Sequence, residues 1–288
     1  MPTKPFLSLI SFLCTLCLFI FSVQSIAQSN KLALVIANLD YEYGKPNHNT
    51  LQDAQNLAKV LEQLCFEVIL KTNLNYDAMD DAIYNFTRRL KRIPQGQGLF
   101  YFAGLGAQGE GQHFLIPINN SRIRSERDLK YRAVPVNQFI GGMTATKVKN
   151  IIILDACYDR PYNGWNAQSL CYEITKKQLP FSNYSGLIIG YPHEDTLRNS
   201  QNIYTETLIQ KFKQTIRQPI SIQSLFIQID NAVYRNSYQR QIPWNVNINL
   251  KDFRFGKTPS CGNSGGDTSP RSCSCCVGFG GCFPCPCK

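Results

Sequence analysis

The chain has 288 residues, enough for one sizeable α/β domain with appendages but short of two full domains. It is 43% hydrophobic and 17% charged, which excludes general disorder. The formal net charge of +10 falls partly in basic runs, Arg88-Arg89 with Lys91-Arg92 and the set Arg122, Arg124, Arg127, Lys130 and Arg132. No nucleic-acid-binding motif accompanies them, so they read as solvated faces and no nucleic-acid partner is expected.

Residues 1–27 read as an export signal. Lys4 supplies the positive start, Phe6 to Val23 is an uncharged, mostly apolar run of 18 residues, and Ser25-Ile26-Ala27 offers small residues for cleavage. The expectation is a mature protein from Gln28, secreted, at the cell surface or periplasmic. A run of that length is borderline for a membrane span, so a retained N-terminal anchor is the alternative; otherwise no membrane partner is expected.

The body then alternates. Lys31 to Ala37 is a short apolar run of the buried-strand kind, and a turn-rich stretch follows to Thr50. Leu51, Ala54, Leu57, Leu61 and Leu64 recur at helical spacing with Asp53 in the first turn. Phe66 to Leu70 reads as a strand, Met79, Ile83, Phe86 and Leu90 mark a helix, and Gly98 to Ala103 reads as the next strand. Phe114 to Ile118, Asn150 to Asp155 and Ser185 to Ile189 are further strands, and helical patterns over Thr205–Phe212 and Ile222–Val233 close the body. Uniformly apolar strands alternating with helices predict an α/β fold, a mainly parallel sheet with helices on both faces. Chemistry in such folds gathers beyond the carboxyl ends of the strands, here Gly104-Leu105-Gly106 and Ala156-Cys157.

From Lys257 onward Gly, Ser, Pro and Cys supply 22 of 32 residues, too little for a core, so residues 28–256 are read as the domain and 257–288 as a tail. Seven of the 12 cysteines lie in that tail. In an exported protein disulfide pairing is the first reading. The odd count leaves one thiol free, paired with Cys171 or Cys65, or cross-linked to a partner. Zinc or Cu(I) is the rival, but the Cys-x-Cys-Cys and Cys-x-x-Cys-x-Cys spacings fit no zinc module; no metal site and no cofactor are assigned.

Several segments together resemble the caspase/metacaspase cysteine peptidases, in particular their bacterial members. Phe102-Ala-Gly-Leu-Gly-Ala-Gln108 is similar to the family segment in which a histidine stands between two glycines, and Ile153-Leu-Asp-Ala-Cys-Tyr-Asp-Arg-Pro161 to the nucleophile segment. Leu105 and Cys157 are 52 residues apart, and caspases separate histidine from cysteine by about 50. Asn49 to Ala54, Phe114 to Ile118, Tyr204 to Leu208 and Gln241 to Trp244 add to the match, which runs from about Lys31 to Phe255.

The resemblance implies a caspase-like three-layer sandwich. It puts Cys157 at the nucleophile position, Leu105 in place of the family histidine and Gly106 in the oxyanion loop. It also implies that Asp53 and Asp155 receive a basic P1 side chain, whereas without it they read as a helix-start charge and a structural hydrogen-bond partner. Leu105 neither accepts nor donates a proton, so the expectation is an exported pseudopeptidase that keeps a peptide-binding cleft and acts as decoy, adaptor or regulator. Its partner would be a peptide or protein with a basic residue, or an active homologue. The alternative is an active endopeptidase cutting after Arg or Lys with a non-standard base, His193 before His48 or His113. A third reading is a surface protein tethered by its cysteine tail. Lys176-Lys177 resembles the basic autocleavage sites of active relatives but reads as a solvated loop pair, and no calcium-binding acidic cluster is evident.

Overall fold

The run Lys31–Ala37 forms β1, with every residue buried, because a central strand covered on both faces excludes water from both of its side-chain sets. The structure, a computed structural model, describes residues 29–44, 50–93, 95–109, 112–157, 186–191, 203–250, 253–257, 273–277 and 281–285. The central sheet further contains β2 (Glu67–Thr72), β3 (Gln97–Gly109), β6 (Lys149–Cys157), β7 (Leu187–Tyr191) and β9 (Trp244–Ile248), in the order β2-β1-β3-β6-β7-β9. Every pairing along it is parallel except β7 with β9. β4 (Gln112–Leu115) folds back on β3 as a hairpin, and β5 (Val134–Pro135) pairs with β4. A small antiparallel pair joins β8 (Ile220–Ser221) to β10 (Arg254–Phe255).

Side chains alternate across the sheet, so each strand feeds two cores. Ala33, Val35, Leu99, Tyr101, Ile151, Ile153 and Ile188 pack under α1 (Thr50–Gln63), α5 (Ile203–Arg217) and α6 (Ile222–Asn236). Leu32, Leu34, Ile36, Phe100, Phe102, Ile152 and Leu154 pack under α2 (Tyr76–Leu90) and α4 (Val136–Thr144). α3 (Glu126–Arg132) lies beside the β3–β4 hairpin, where Leu129 joins a third, smaller cluster. The α/β three-layer arrangement expected from the sequence is the one observed. No helix among the described residues is long and apolar enough to cross a membrane.

Three local readings differ. β3 runs on to Gly109, beyond the expected end at Ala103, because the returning β4 supplies hydrogen-bond partners there. The strand expected over Phe114–Ile118 is Gln112–Leu115 instead and contains His113. Helices α3 and α4 and strand β9 were not expected; α3 and α4 are short, and β9 is a polar-alternating edge strand.

The chain separates into two units, Met1–Lys257 and Thr258–Lys288. In the second, β11 (Cys273–Val277) and β12 (Gly281–Cys285) pair antiparallel, with Cys273 opposite Cys285 and Cys276 opposite Cys282. In the first, Cys65 is disulfide-bonded.

At the amino ends of the strands a lysine is buried. Lys31 is 1% exposed, its ammonium donating to Leu64 O at 3.1 Å and Gly256 O at 2.7 Å above the Phe66 ring. Burial lowers its pKa from 10.5 to about 8. Across that window the unfolded chain keeps a proton that the folded protein has released, so the Lys31 contribution to stability rises with pH and is least below it. Chemical denaturation should therefore show stability rising from about pH 8 to about pH 10, and Lys31→Met should flatten that rise.

Candidate functional site

The parallel register of β3 and β6 builds the site. It pairs Ala103 with Asp155, Gly104 with Ala156 and Leu105 with Cys157. Neighbouring strands stand about 4.8 Å apart, so positions 105 and 157 are direct neighbours at the carboxyl end of the sheet. The Cys157 side chain, His48, His193, Cys171 and Lys176-Lys177 lie outside the described residues.

Leu105 does not line an open loop. It is 4% exposed and packs with Ala107, Phe114, Ile116, Ile123, Leu129 and Ala133, with Tyr41 against them. Gly44 closes over it: a Cβ there would stand 2.8 Å from Leu105 Cδ1, and the backbone takes φ +87°, which glycine tolerates best. The Leu105 N–H donates to the Tyr41 hydroxyl at 2.8 Å, and that hydroxyl donates to Ile116 O at 3.1 Å. At Gly104 an added Cβ would meet the same Tyr41 oxygen at 2.4 Å, so the glycine makes room for this tie. Gly106 sits opposite Leu115 in the hairpin. Since Leu105 O accepts from Ile116 N on the β4 side, strand alternation turns the Gly106 N–H toward β6 and position 157.

The loop after β1, which carries Tyr41 and Gly44, is held by asparagines. Asn38, fully buried, accepts from Leu74 N at 2.9 Å and donates to Ile116 O at 3.3 Å, and Asn120 Oδ1 and Nδ2 read the N–H and C=O of Tyr43. His113 stands opposite Gln108, three residues along β3 from Leu105, and burial lowers its pKa from 6.5 to about 4, so its imidazole is neutral near pH 7.

One of the two predicted carboxylates, Asp155, is bonded by a buried hydroxyl. Tyr101 donates to Asp155 Oδ2 at 3.0 Å, Thr205 Oγ1 bonds the same oxygen, and the Tyr101 and Thr205 oxygens are 3.1 Å apart. Asp53, 6% exposed, lies in the first turn of α1. Burial above all, then Asp155 and more weakly Asp53, pushes the Tyr101 hydroxyl well above its ordinary pKa, so both acids bear on it. Tyr101, Thr205 and Tyr41 were missed at the sequence level. Tyr101 was legible as the one polar tip in an apolar strand, whereas nothing in the turn-rich segment singled out Tyr41. Among the described residues no group of three or more His, Cys, Asp or Glu is placed to hold a metal.

Residues 30–254 match the family model described as "Caspase domain". A stretch of 91 residues is 32% identical to "Mucosa-associated lymphoid tissue lymphoma translocation protein 1" from Homo sapiens, covering 31% of this chain and 11% of that protein. The match thus spans about a tenth of that curated relative's length.

Two substitutions test the geometry. Leu105→Ala should lower stability by about 2–4 kcal/mol through a cavity in its cluster. Tyr101→Phe should cost about 1.5–3 kcal/mol, because it removes a bond to a carboxylate in a buried setting. Urea denaturation of both variants measures these losses.

Proposed function

Because this chain belongs to the caspase-domain family, we propose that it is an exported pseudopeptidase, holding a peptide by a basic side chain without cutting it. The observation that carries this reading is Leu105, an apolar side chain packed at the position opposite 157. A cysteine without an adjacent base keeps a free-thiol pKa of about 8.5 and is mostly protonated at neutral pH. Amide cleavage further requires an acid for the departing nitrogen, and leucine is neither acid nor base. The Gly106 N–H, turned toward β6, is the oxyanion-side donor of such a cleft.

Recognition is assigned to Asp53 and Asp155. Their shared bearing on Tyr101 favours a cationic group, and the partner would be a peptide or protein with an exposed basic residue, such as an active homologue. A decoy, adaptor or regulator follows from binding without turnover. Export is supported by the leader composition and by the Cys65 disulfide, a bond that persists in oxidising compartments.

Turnover of fluorogenic Arg, Lys and Asp peptides by the full chain, beside a Cys157→Ala control, is the decisive measurement. No Cys157-dependent cleavage is expected; robust cleavage would favour an active endopeptidase, with His193→Ala the next variant. Leu105→His should raise activity on basic substrates by about 10²–10⁴-fold, and Cys157→Ala should abolish that gain. The same variant should be less stable than the parent, since it sets a polar ring among Phe114, Ile116 and Leu129. Calorimetry should show arginine peptide aldehydes binding at least about tenfold better than aspartate ones, with Asp53→Ala removing the difference.

A further inference from the structure

A cavity of about 380 Å³ opens between α5 and α6, and its walls follow from helical spacing. Lys211, Gln214 and Gln218 recur at i, i+3 and i+7 on α5, and Ser221, Ser224 and Gln228 repeat that spacing from the cap of α6. Each helix therefore turns one polar stripe toward the space. The apolar faces of the same helices, with Phe212 on one and Phe226 on the other, pack into the sheet core instead. The cavity lies away from position 157. Thr205, at the start of α5, meets Asp155 near the carboxyl ends of the strands, whereas the cavity takes the second half of that helix and Arg254 of β10. Two residues beyond Arg254, Gly256 O accepts from Lys31 at the amino ends of the strands.

The charge lining this space has one sign. Among the described residues Lys211 and Arg254 line it and no carboxylate does. Lys211 is half-buried and makes no ion pair or hydrogen bond among the described residues. Arg254 uses one guanidinium nitrogen on Pro219 O, which leaves further N–H donors of its planar fork. A cleft lined by cations alone concentrates the field on an anion. The end of α6 is not the source of that charge, because Ile222 N already donates to Phe253 O and Ser224 N to Ser221 Oγ. The two side chains are the source.

We propose that this cavity binds a sugar phosphate, its phosphate held by Lys211 and Arg254 and its hydroxyls by Gln214, Gln228 and Ser224. A phosphate monoester carries about two negative charges near pH 7 and three acceptor oxygens, which match two cations drawn from separate elements. A carboxylate would leave one of the two cations unmatched. The volume falls within the range of small-molecule sites, roughly 300–1,000 Å³, so the phosphate needs a body attached to it. Glutamine amides and serine hydroxyls suit a hydroxyl-rich body. No aromatic ring lines the cavity among the described residues, so nothing there would stack a nucleobase. The site shares no residue with Asp53 or Asp155 and stands whether or not they bind a peptide.

The test is titration calorimetry of the full chain with glucose 6-phosphate, ribose 5-phosphate, glucose, glucuronate and inorganic phosphate. At least one sugar phosphate should bind, and glucose and glucuronate should bind at least about tenfold more weakly. Lys211→Met and Arg254→Gln should each lower sugar phosphate affinity by about tenfold or more. Gln228→Leu should lower it by about fivefold while leaving inorganic phosphate unaffected. Lys211→Met should melt no lower than the wild type, since its ammonium has no bond to lose, so its loss of binding is not a loss of fold. Binding of neither sugar phosphate overturns the proposal, as does affinity unchanged in both Lys211→Met and Arg254→Gln. Glucuronate or inorganic phosphate binding as tightly as the sugar phosphates would overturn the assigned ligand class. Capture of phosphatidylglycerol vesicles in place of the soluble sugars, lost in Lys211→Met, would put the same phosphoester chemistry at a membrane and overturn a free ligand.

Discussion

Parallel pairing of β3 with β6 runs unbroken from Gln97 and Lys149 to Leu105 and Cys157, and this register decides what the carboxyl end of the sheet can do. Side-chain direction in a strand repeats every two residues, so a slip by one between β3 and β6 would put Tyr101 and Asp155 on opposite faces of the sheet. In the observed register Tyr101 and Asp155 share the face covered by α5, where Thr205 joins them. The same register brings positions 105 and 157 side by side. Register is held firmly here because both faces are buried: Phe100, Phe102, Ile152 and Leu154 fill one core, and Leu99, Ile151 and Ile153 the other.

The leucine at 105 is embedded in its surroundings. Leucine there joins a continuous apolar cluster spanning the β3–β4 hairpin and α3, and Tyr41 and Gly44 seal it from the side of the preceding loop. The backbone amide that follows Gly104 is committed to the Tyr41 hydroxyl, and the loop carrying Tyr41 is itself fixed by buried Asn38 and Asn120. Packing at this corner thus favours an apolar side chain, and an imidazole placed there would be costly to desolvate. Packing and site geometry are coupled at that one residue: what stabilises the corner also sets an apolar side chain beside position 157.

The carboxylate side of the site follows an opposite logic. Asp53, Asp155 and Asp230 sit close to an otherwise apolar layer formed by Leu208, Phe226 and Ile229, with Tyr101, Thr205, Tyr204 and Asn245 between them. Polar groups in such a layer are stable only when bonded, and most of these are. The tyrosine hydroxyls carry the effect of the accumulated negative charge, since burial and neighbouring carboxylates hold both far above their ordinary ionisation range.

How much of this was legible beforehand depended on the range of the interactions involved. Apolar runs such as Lys31–Ala37 and Lys149–Cys157 and the helical spacing of Met79, Ile83, Phe86 and Leu90 are local signals, so the α/β layering and the two chain segments of the site could be read in one dimension. The motif around Cys157 and the leucine at 105 were equally plain. Short α3 and α4 escaped notice because their burial is decided by the hairpin and α2 against which they pack. β3 was expected to stop at Ala103, since only a returning strand makes Gly104 to Gly109 extended. By itself the sequence determined the sheet, the family resemblance and the leucine at 105, all carried by neighbours in the chain. Tertiary structure alone decided that Leu105 is sealed under Tyr41 and Gly44 and that Tyr204 is wedged over Gly190 beside Asp230, because those contacts join residues distant in the chain whose meeting is fixed only by strand register and helix packing.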